Sequence, residues 1–217
     1  MSLELIDINL SIEGRTLLHD FSLTVANGET VSIMGPSGCG KSSLLGYLCG
    51  SLAPGFKASG EIYVRAENVT HLPMEKRHIG LLFQDDLLFP HMSVGENLAF
   101  ALPRGLSRKI RQERISQALE SAGLPDFHNA DPASLSGGQR SRISLMRTLL
   151  AEPRALLLDE PFSRLDADLR QRFRSFVFET IREQNIPALL VTHDMQDCNG
   201  RIITLADTHA KTGVAHA

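Results

Sequence analysis

Residues 35–43 read GPSGCGKSS, directly after the apolar run TVSIM at 30–34. Three glycines in nine positions give up backbone order and side-chain packing, so the stretch must supply something a tighter loop cannot. A loop wrapped around an anion presents successive N–H groups inward, and side chains would block that approach. The residues that follow, SSLLGYLC, read as a helix, and a helix start aims its positive end at the same anion. Gly35 to Ser42 fit G-x-x-x-x-G-K-[ST], the Walker A pattern. On this reading Gly35, Pro36, Ser37, Gly38, Cys39 and Gly40 form a phosphate cradle, with Ser43 at its exit. Lys41 reaches the β- and γ-phosphates of a nucleotide. Ser42 offers its hydroxyl to Mg²⁺, a hard cation that takes oxygen ligands.

The surroundings are those of a layered α/β protein. ELIDINLSI and FSLTV alternate apolar and polar residues, as half-buried antiparallel strands do. TVSIM, ALLLD at 155–159 and ALLVT at 188–192 are short continuous apolar runs, the pattern of strands buried on both faces. GEIYV and HIGLLF read as further strands. Between ALLLD and ALLVT lies a helical stretch with Asp166 as its cap and an apolar stripe of Phe173, Phe176, Val177 and Ile181. Strand, helix, strand with central apolar strands implies a parallel sheet covered by helices. From about Leu87 to Leu150 the patterns are mostly helical. Ile115, Ala118, Leu119 and Ala122 share one face, and the basic run RKIRQER reads as a solvated one. Cys39 reads as a tolerated small residue of the loop, and the tail from Asp207 as polar and frayed.

The bulk numbers narrow the function classes. The chain has 217 residues, enough for one well-buried domain with a subdomain. Its net charge of −3 and lack of tryptophan give no general reason to bind nucleic acid. Three cysteines, Cys39, Cys49 and Cys198, without paired or ligand spacing suit a reducing compartment. The first residues are acidic and alternating, unlike a secretory signal. No run of about 18 apolar residues exists, so any membrane role needs a partner to span the bilayer.

Two further stretches carry chemistry. ALLLDE ends in two carboxylates: Asp159 at the end of a buried strand can organise Mg²⁺ through a water, and Glu160 can polarise an attacking water. LSGGQ at 135–139 precedes the helical RSRISLMRTLL, with Ser136 as cap and the N–H groups of Gly137 and Gly138 accessible. That is a second anion-binding helix start in one chain.

Taken in order, these motifs resemble the ATP-binding subunit of ABC transporters over almost the whole chain: GPSGCGKS, the glutamine of LLFQDD (Gln84), LSGGQ, ALLLDEP, SRLD (Asp166) and the histidine of VTHD (His193). The resemblance implies a P-loop NTPase (RecA-like) core with a parallel sheet, an antiparallel β subdomain and an inserted α-helical subdomain. The core and β subdomain are expected in residues 1–84 and 155–217, the helical subdomain in 85–154. It implies a head-to-tail homodimer holding two ATP molecules, each gripped by the Walker A loop of one subunit and by Ser136, Gly137, Gly138 and Gln139 of the other. Glu160, His193 and Gln84 are then the catalytic residues. Ser42, Gln84 and Asp159 attend Mg²⁺, and Asp166 reaches across the interface. The partners implied are membrane permease subunits, docked on LLFPHMSVGENLAFAL, and indirectly a periplasmic substrate-binding protein. The chain would work as a peripheral subunit on the cytoplasmic face of the inner membrane. Thiamine, iron and polyamine importer ATPases are the nearest subgroup. Rival readings are a non-importer membrane complex, as in lipoprotein release or cell division, and a soluble nucleic-acid or ribosome-associated ATPase.

The match departs in three places. SIEGRTLLHD holds no aromatic residue to stack on adenine, with Ile12 or Glu13 in that place, so weak discrimination between ATP and GTP is expected. Arg164 stands in SRLD where a small residue is commoner, and an interface salt bridge is expected of it. A regulatory C-terminal domain found in some importer ATPases has no counterpart after THDMQD, so inhibition through such a domain is not expected.

Overall fold

A computed structural model describes residues 2–205, and the tail from Asp207 lies outside the described residues. Packing divides the chain into two compact units. Among the described residues, one takes 2–81, Arg154–Glu160 and 178–205; the other takes Leu82–Pro153 and Pro161–Val177.

The first unit is built on two sheets. β1 (Ser2–Ile12) pairs antiparallel with β2 (Arg15–Ala26) and β4 (Phe56–Val64), and β5 (Glu67–Asn68) extends β4, in the order β2-β1-β4-β5. The second sheet runs β6-β7-β8-β3-β9, from β6 (Ile79–Leu82), β7 (Ala155–Asp159), β8 (Ala188–Thr192), β3 (Thr30–Met34) and β9 (Arg201–Thr204). β7, β8, β3 and β9 pair in parallel. The three central strands are buried along nearly their whole length, as continuous apolar runs require. One core joins both sheets through Leu3, Leu5, Ile8, Ile33, Leu157 and Val191. The strand β9 went unread in the sequence because it is a short edge element with largely exposed residues.

α1 (Lys41–Cys49) follows β3 and ends at Gly50 in a left-handed cap. A buried arginine closes that end. Arg77 donates to the carbonyls of Tyr47 (2.8 Å), Leu48 (2.9 Å), Thr70 (2.7 Å) and Leu72 (2.8 Å), satisfying the last carbonyls of α1 and pinning the 70–77 loop.

The second unit packs α2 (Val94–Ala101), α3 (Arg108–Ser121) and α4 (Gly137–Leu150) around Val94, Leu98, Ile115, Leu119 and Ile143. The spaced face of α3 is buried as its periodicity predicts, from Ile115 to Ala122. The basic run stays at the surface, apart from Arg111, which donates to the Ala99 carbonyl, and Arg114, which is ion-paired with Glu152. α5 (Ala167–Glu183) begins here behind Asp166, whose carboxylate accepts from Leu169 N at 3.0 Å, so the predicted cap is present.

The sequence reading put 155–217 together in the core, whereas packing groups 161–177 with the helices. Contacts to α4 are the physical reason: the Arg142 guanidinium lies 5.4 Å from the Phe176 ring and Leu169 packs against Gly138, while Phe162 and Phe173 meet edge to face at 5.7 Å within the segment.

Candidate functional site

The register of the parallel sheet gathers three chain segments. Met34 pairs with Thr192, and Asp159 with Val191, so β3, β7 and β8 end side by side. The cradle 35–40 leaves β3, Asp159 and Glu160 close β7, and His193 leaves β8. In open α/β sheets this carboxyl edge is where ligands bind.

Within the cradle Pro36, Ser37 and Gly38 are exposed, while Cys39 and Gly40 are buried. Gly40 has φ +100, and a Cβ there would stand 3.0 Å from Leu17 Cβ, so both backbone and space demand glycine. α1 starts at Lys41 with no side-chain cap. Its first N–H groups therefore remain a donor set for an anion. Lys41 is buried, and its ammonium donates to the carbonyls of Gly35 (2.7 Å) and Pro36 (2.9 Å). Cys39 Sγ lies 4.0 Å from that ammonium and is 3% exposed, which suits a packed loop residue.

Ser42 is exposed, Ser43 is half-buried, and Ser42 Oγ donates to Asp159 Oδ1 at 3.0 Å. Burial pushes the Asp159 carboxyl above its usual range, with Glu160 adding to the rise and Ser42 and Lys41 opposing it. An added cation there would relieve that cost. Among the described residues no group of three or more His, Cys, Asp and Glu could hold a metal. An all-oxygen pair of one hydroxyl and one carboxylate fits Mg²⁺, which keeps waters and substrate phosphates for its remaining positions.

Glu160 adopts φ +46, a left-handed conformation uncommon for a residue with a Cβ, and its N–H bonds to the Val191 carbonyl at 3.0 Å. Its carboxylate lies 3.1 Å from His193 Nδ1. With a carboxylate as acceptor, Nδ1 carries the hydrogen. The loop holding His193 is braced by a buried pair that the sequence reading missed: Thr192 Oγ1 donates to Asp197 Oδ2 at 3.2 Å, and Asp194 N donates to Thr192 Oγ1 at 3.1 Å. Asp197 is 2% exposed, a burial no local pattern announces.

The second unit carries the other candidates. Ser136 and Gln139 form a capping box at the start of α4: Gln139 N donates to Ser136 Oγ (3.3 Å), and Ser136 N donates to Gln139 Oε1 (2.8 Å). The cap uses a lone pair of Ser136 and leaves its O–H hydrogen to donate elsewhere. Gln139 is thus a fixing residue for Ser136. Gly137 is half-buried, and Gly138 is buried against α5, where a Cβ would fall 2.8 Å from Leu169 Cγ. Asp166 is exposed and engaged as the α5 cap. Gln84 is exposed, and the residues after it are clamped: Asp86 by Arg140 at 2.8 Å, Asp85 by Arg164, and the Leu87 carbonyl by Arg147 at 2.9 Å. The expected interface role of Arg164 meets a different fact, since its guanidinium is paired inside the chain.

Comparison with known proteins identifies the family. The family described as ABC transporter matches residues 18–163, more than half the chain. The chain is 49% identical over 191 residues to the uncharacterized ABC transporter ATP-binding protein YnjD of Escherichia coli (strain K12), covering 88% of each. It is 38% identical to the Fe(3+) ions import ATP-binding protein FbpC of Escherichia coli O157:H7 and to the spermidine/putrescine import ATP-binding protein PotA of Pasteurella multocida. Those matches take in 89% and 95% of this chain but only 55% and 56% of the longer relatives. The solved dimeric structure of MJ0796, a bacterial ABC transporter cassette, superposes with a TM-score of 0.77 at 30% identity, covering 94% of both chains. No described helix is long and apolar enough to cross a membrane. The α/β architecture is that of an ABC ATPase cassette, the relatives are ATP-binding subunits, and the chain belongs to the ABC transporter family.

Proposed function

We propose that this chain hydrolyses MgATP as a head-to-tail homodimer and thereby drives solute import through separate membrane permease subunits. The observation that carries the reading is the cluster at the sheet edge, where Lys41, Ser42, Asp159, Glu160 and His193 come from three adjacent strand ends. In this reading residues 35–43 of one subunit hold the phosphates, and Ser136, Gly137, Gly138 and Gln139 of its mate donate from the opposite side. Lys41 exchanges its loop carbonyls for phosphate oxygens. Ser42 and Asp159, with Gln84, would hold Mg²⁺, which neutralises phosphate charge when bound. Glu160 accepts a proton from the attacking water, and His193 keeps that carboxylate in line. Asp166 lies towards the mate. The first compact unit acts as nucleotide-binding core with its β subdomain, and the helical unit as the signature-bearing subdomain.

Import, rather than another membrane task, is favoured by the iron and polyamine importer names among the relatives. In this reading the permease docks on the stretch LLFPHMSVGENLAFAL, where Leu87 and Phe100 are exposed at 53 and 66% and Phe89 meets Phe100 edge to face at 4.9 Å. An exposed aromatic group of this kind suits a permease helix, and the chain then sits on the cytoplasmic face of the membrane, with a periplasmic binding protein feeding the other side.

Glu160→Gln tests the chemistry. The variant should lose at least 100-fold in turnover yet form an ATP-dependent dimer on gel filtration. Near wild-type turnover would remove Glu160 from the reaction. Copurification of a polytopic permease and a substrate-binding protein would support import, and copurification of a lipoprotein-release or division complex would redirect it.

A further inference from the structure

We propose that Asp197 is a positioning residue for the hydrolysis: through Thr192 it sets the His193 ring against the Glu160 carboxylate. The inference rests on the roles given above to Glu160 and His193. Every residue it uses lies in the first compact unit. His193 is exposed and stands on a loop, yet its Nδ1 meets the Glu160 carboxylate at 3.1 Å. A hydrogen bond weakens steeply once its atoms are misaligned, so the main chain at residue 193 has to be held still.

On the sheet side the support is direct. Thr192 is the last residue of β8 and pairs with Met34, and Glu160 N donates to the Val191 carbonyl at 3.0 Å. On the loop side the strand has ended, and a single 3₁₀ turn, Met195–Asp197, follows Asp194. The support there comes from one hydroxyl. Thr192 Oγ1 donates to Asp197 Oδ2 at 3.2 Å and accepts from Asp194 N at 3.1 Å, and both Thr192 and Asp197 are buried. A threonine hydroxyl has one hydrogen to give, and here it goes to a carboxylate, the stronger kind of acceptor. The two bonds straddle His193: one ties its predecessor to its successor, the other ties its predecessor to the far end of the turn. The turn is also closed from within, since Asp197 N donates to the Asp194 carbonyl at 3.1 Å and Gln196 N to Asp194 Oδ1 at 2.9 Å. Beyond it the loop is fastened to β3. Asn199 N donates to the buried Ser32 Oγ, and that hydroxyl donates back to the Asn199 carbonyl, both at 3.2 Å.

A buried carboxylate at this place has a chemical logic. Two apolar side chains of the same shape would fill the space at little cost in stability. They would leave the loop free to turn, because apolar contact has no direction. A hydroxyl that donates one way and accepts the other fixes the orientation of the chain, and a satisfied buried polar network rigidifies what it joins. Asp197 is shielded from a nucleotide at the sheet edge by its burial, so its influence on the reaction passes through the residue between the two bonds, His193.

The test is a mutant cycle on the steady-state ATPase of the purified full chain. Thr192→Val keeps the shape and removes the hydroxyl, whereas Thr192→Ser keeps the hydroxyl and removes a methyl group. Thr192→Val and Asp197→Ala should each lower kcat about tenfold, less than the roughly hundredfold cost of a full 1 Å misplacement. KM for ATP should stay within about twofold, because the phosphate cradle is untouched. Thr192→Ser should recover turnover to within about threefold of the wild type. The His193→Ala background decides the matter. That change alone should lower turnover at least about 100-fold, and the residual rate is read with radiolabelled ATP. With the ring gone there is nothing left to position, so Thr192→Val and Asp197→Ala should each cost less than about twofold more. A general loosening of the fold would instead slow both backgrounds alike. A further loss of about tenfold in the His193→Ala background, wild-type turnover in Thr192→Val, or a serine variant as slow as the valine one overturns the proposal. Should Asp197→Ala fail to fold by circular dichroism, the two Thr192 variants carry the same test. His193→Ala at near wild-type turnover overturns the role given to His193 and the proposal with it, whereas a large loss there with additive effects overturns the proposal alone.

Discussion

Gly138 separates two reasons for having a glycine at the start of α4, access for an anion and room for a neighbour. An alanine there keeps its N–H, so the donor survives. It also places a Cβ 2.8 Å from Leu169 Cγ, closer than real Cβ contacts come. Overpacking of this kind costs roughly 2–3 kcal/mol, and replacing glycine by alanine within a helix returns roughly 1 kcal/mol. The net for Gly138→Ala is then a loss of about 1–2 kcal/mol, or a melting temperature lower by roughly 2–8 °C in a chain of this size. Leu169→Ala removes the obstruction at its own cost of about 1–2 kcal/mol, modest because Leu169 is only half-buried. In that background Gly138→Ala meets no clash and keeps the helix gain, so the same substitution should stabilise by about 0.5–1 kcal/mol. The assay is thermal unfolding of the four proteins of this cycle, followed by circular dichroism, with ATPase measured in parallel. Packing predicts a change of sign between the two backgrounds. The reasoning is refuted if Gly138→Ala destabilises equally in both, or leaves the wild type unaffected.

Three further outcomes follow from the same geometry. Arg77→Met removes the donors to two carbonyls at the end of α1 and two in the 70–77 loop and should cost about 3–5 kcal/mol, seen as a melting temperature lower by roughly 10 °C; a shift under about 3 °C would mean water replaces the guanidinium without loss. In α2 the Glu96 carboxylate accepts from Ser93 N–H at 2.7 Å, and that bond with the Ser93 hydroxyl contact holds its pKa below the usual glutamate value. The folded chain binds fewer protons there than the unfolded one, so this stabilisation is complete above the ordinary glutamate range and is lost as pH falls through the depressed value. Glu96→Gln should therefore flatten the acid limb of a urea-midpoint curve, and an unchanged limb would count against the capping box as a pH-dependent element. The turn between β1 and β2, with Glu13 at φ +49 and Gly14 at φ +81, offers a purine no aromatic face. ATP and GTP should compete with inhibition constants within about 100-fold, under 2.7 kcal/mol; a wider gap requires another group that reads the base.

Much of the molecule was legible before any coordinates. Continuous apolar runs marked β3, β7 and β8 because strands covered on both faces cannot alternate, and the cradle was explicit because its glycines, Lys41 and Ser42 stand at fixed spacing. Asp166 and Ser136 were readable as caps because capping is local. Long-range burial of polar groups was not. Arg77 reaches back 30 residues to Tyr47, and Arg140 reaches 54 residues to Asp86, distances over which no periodicity acts. Arg164 shows the same limit, since its charge was visible in SRLD but its acceptor, 79 residues earlier, was not. The pairing of Thr192 with Asp197 was hidden for another reason: Asp and Thr around a turn ordinarily signal solvent, and here both side chains are buried although the turn between them is largely exposed.

The left-handed backbone at Glu160 decides which substitutions give a clean answer there. Glutamine inherits the same torsional penalty as glutamate, so only the charge is lost. Asparagine or glycine would relax the chain and blur a lost carboxylate with a loosened hinge, while valine, isoleucine or threonine would crowd the main chain and unsettle the end of the sheet. Comparisons across a saturation library at this position therefore measure torsional tolerance as much as proton transfer, and only the straight-chain amide isolates the second.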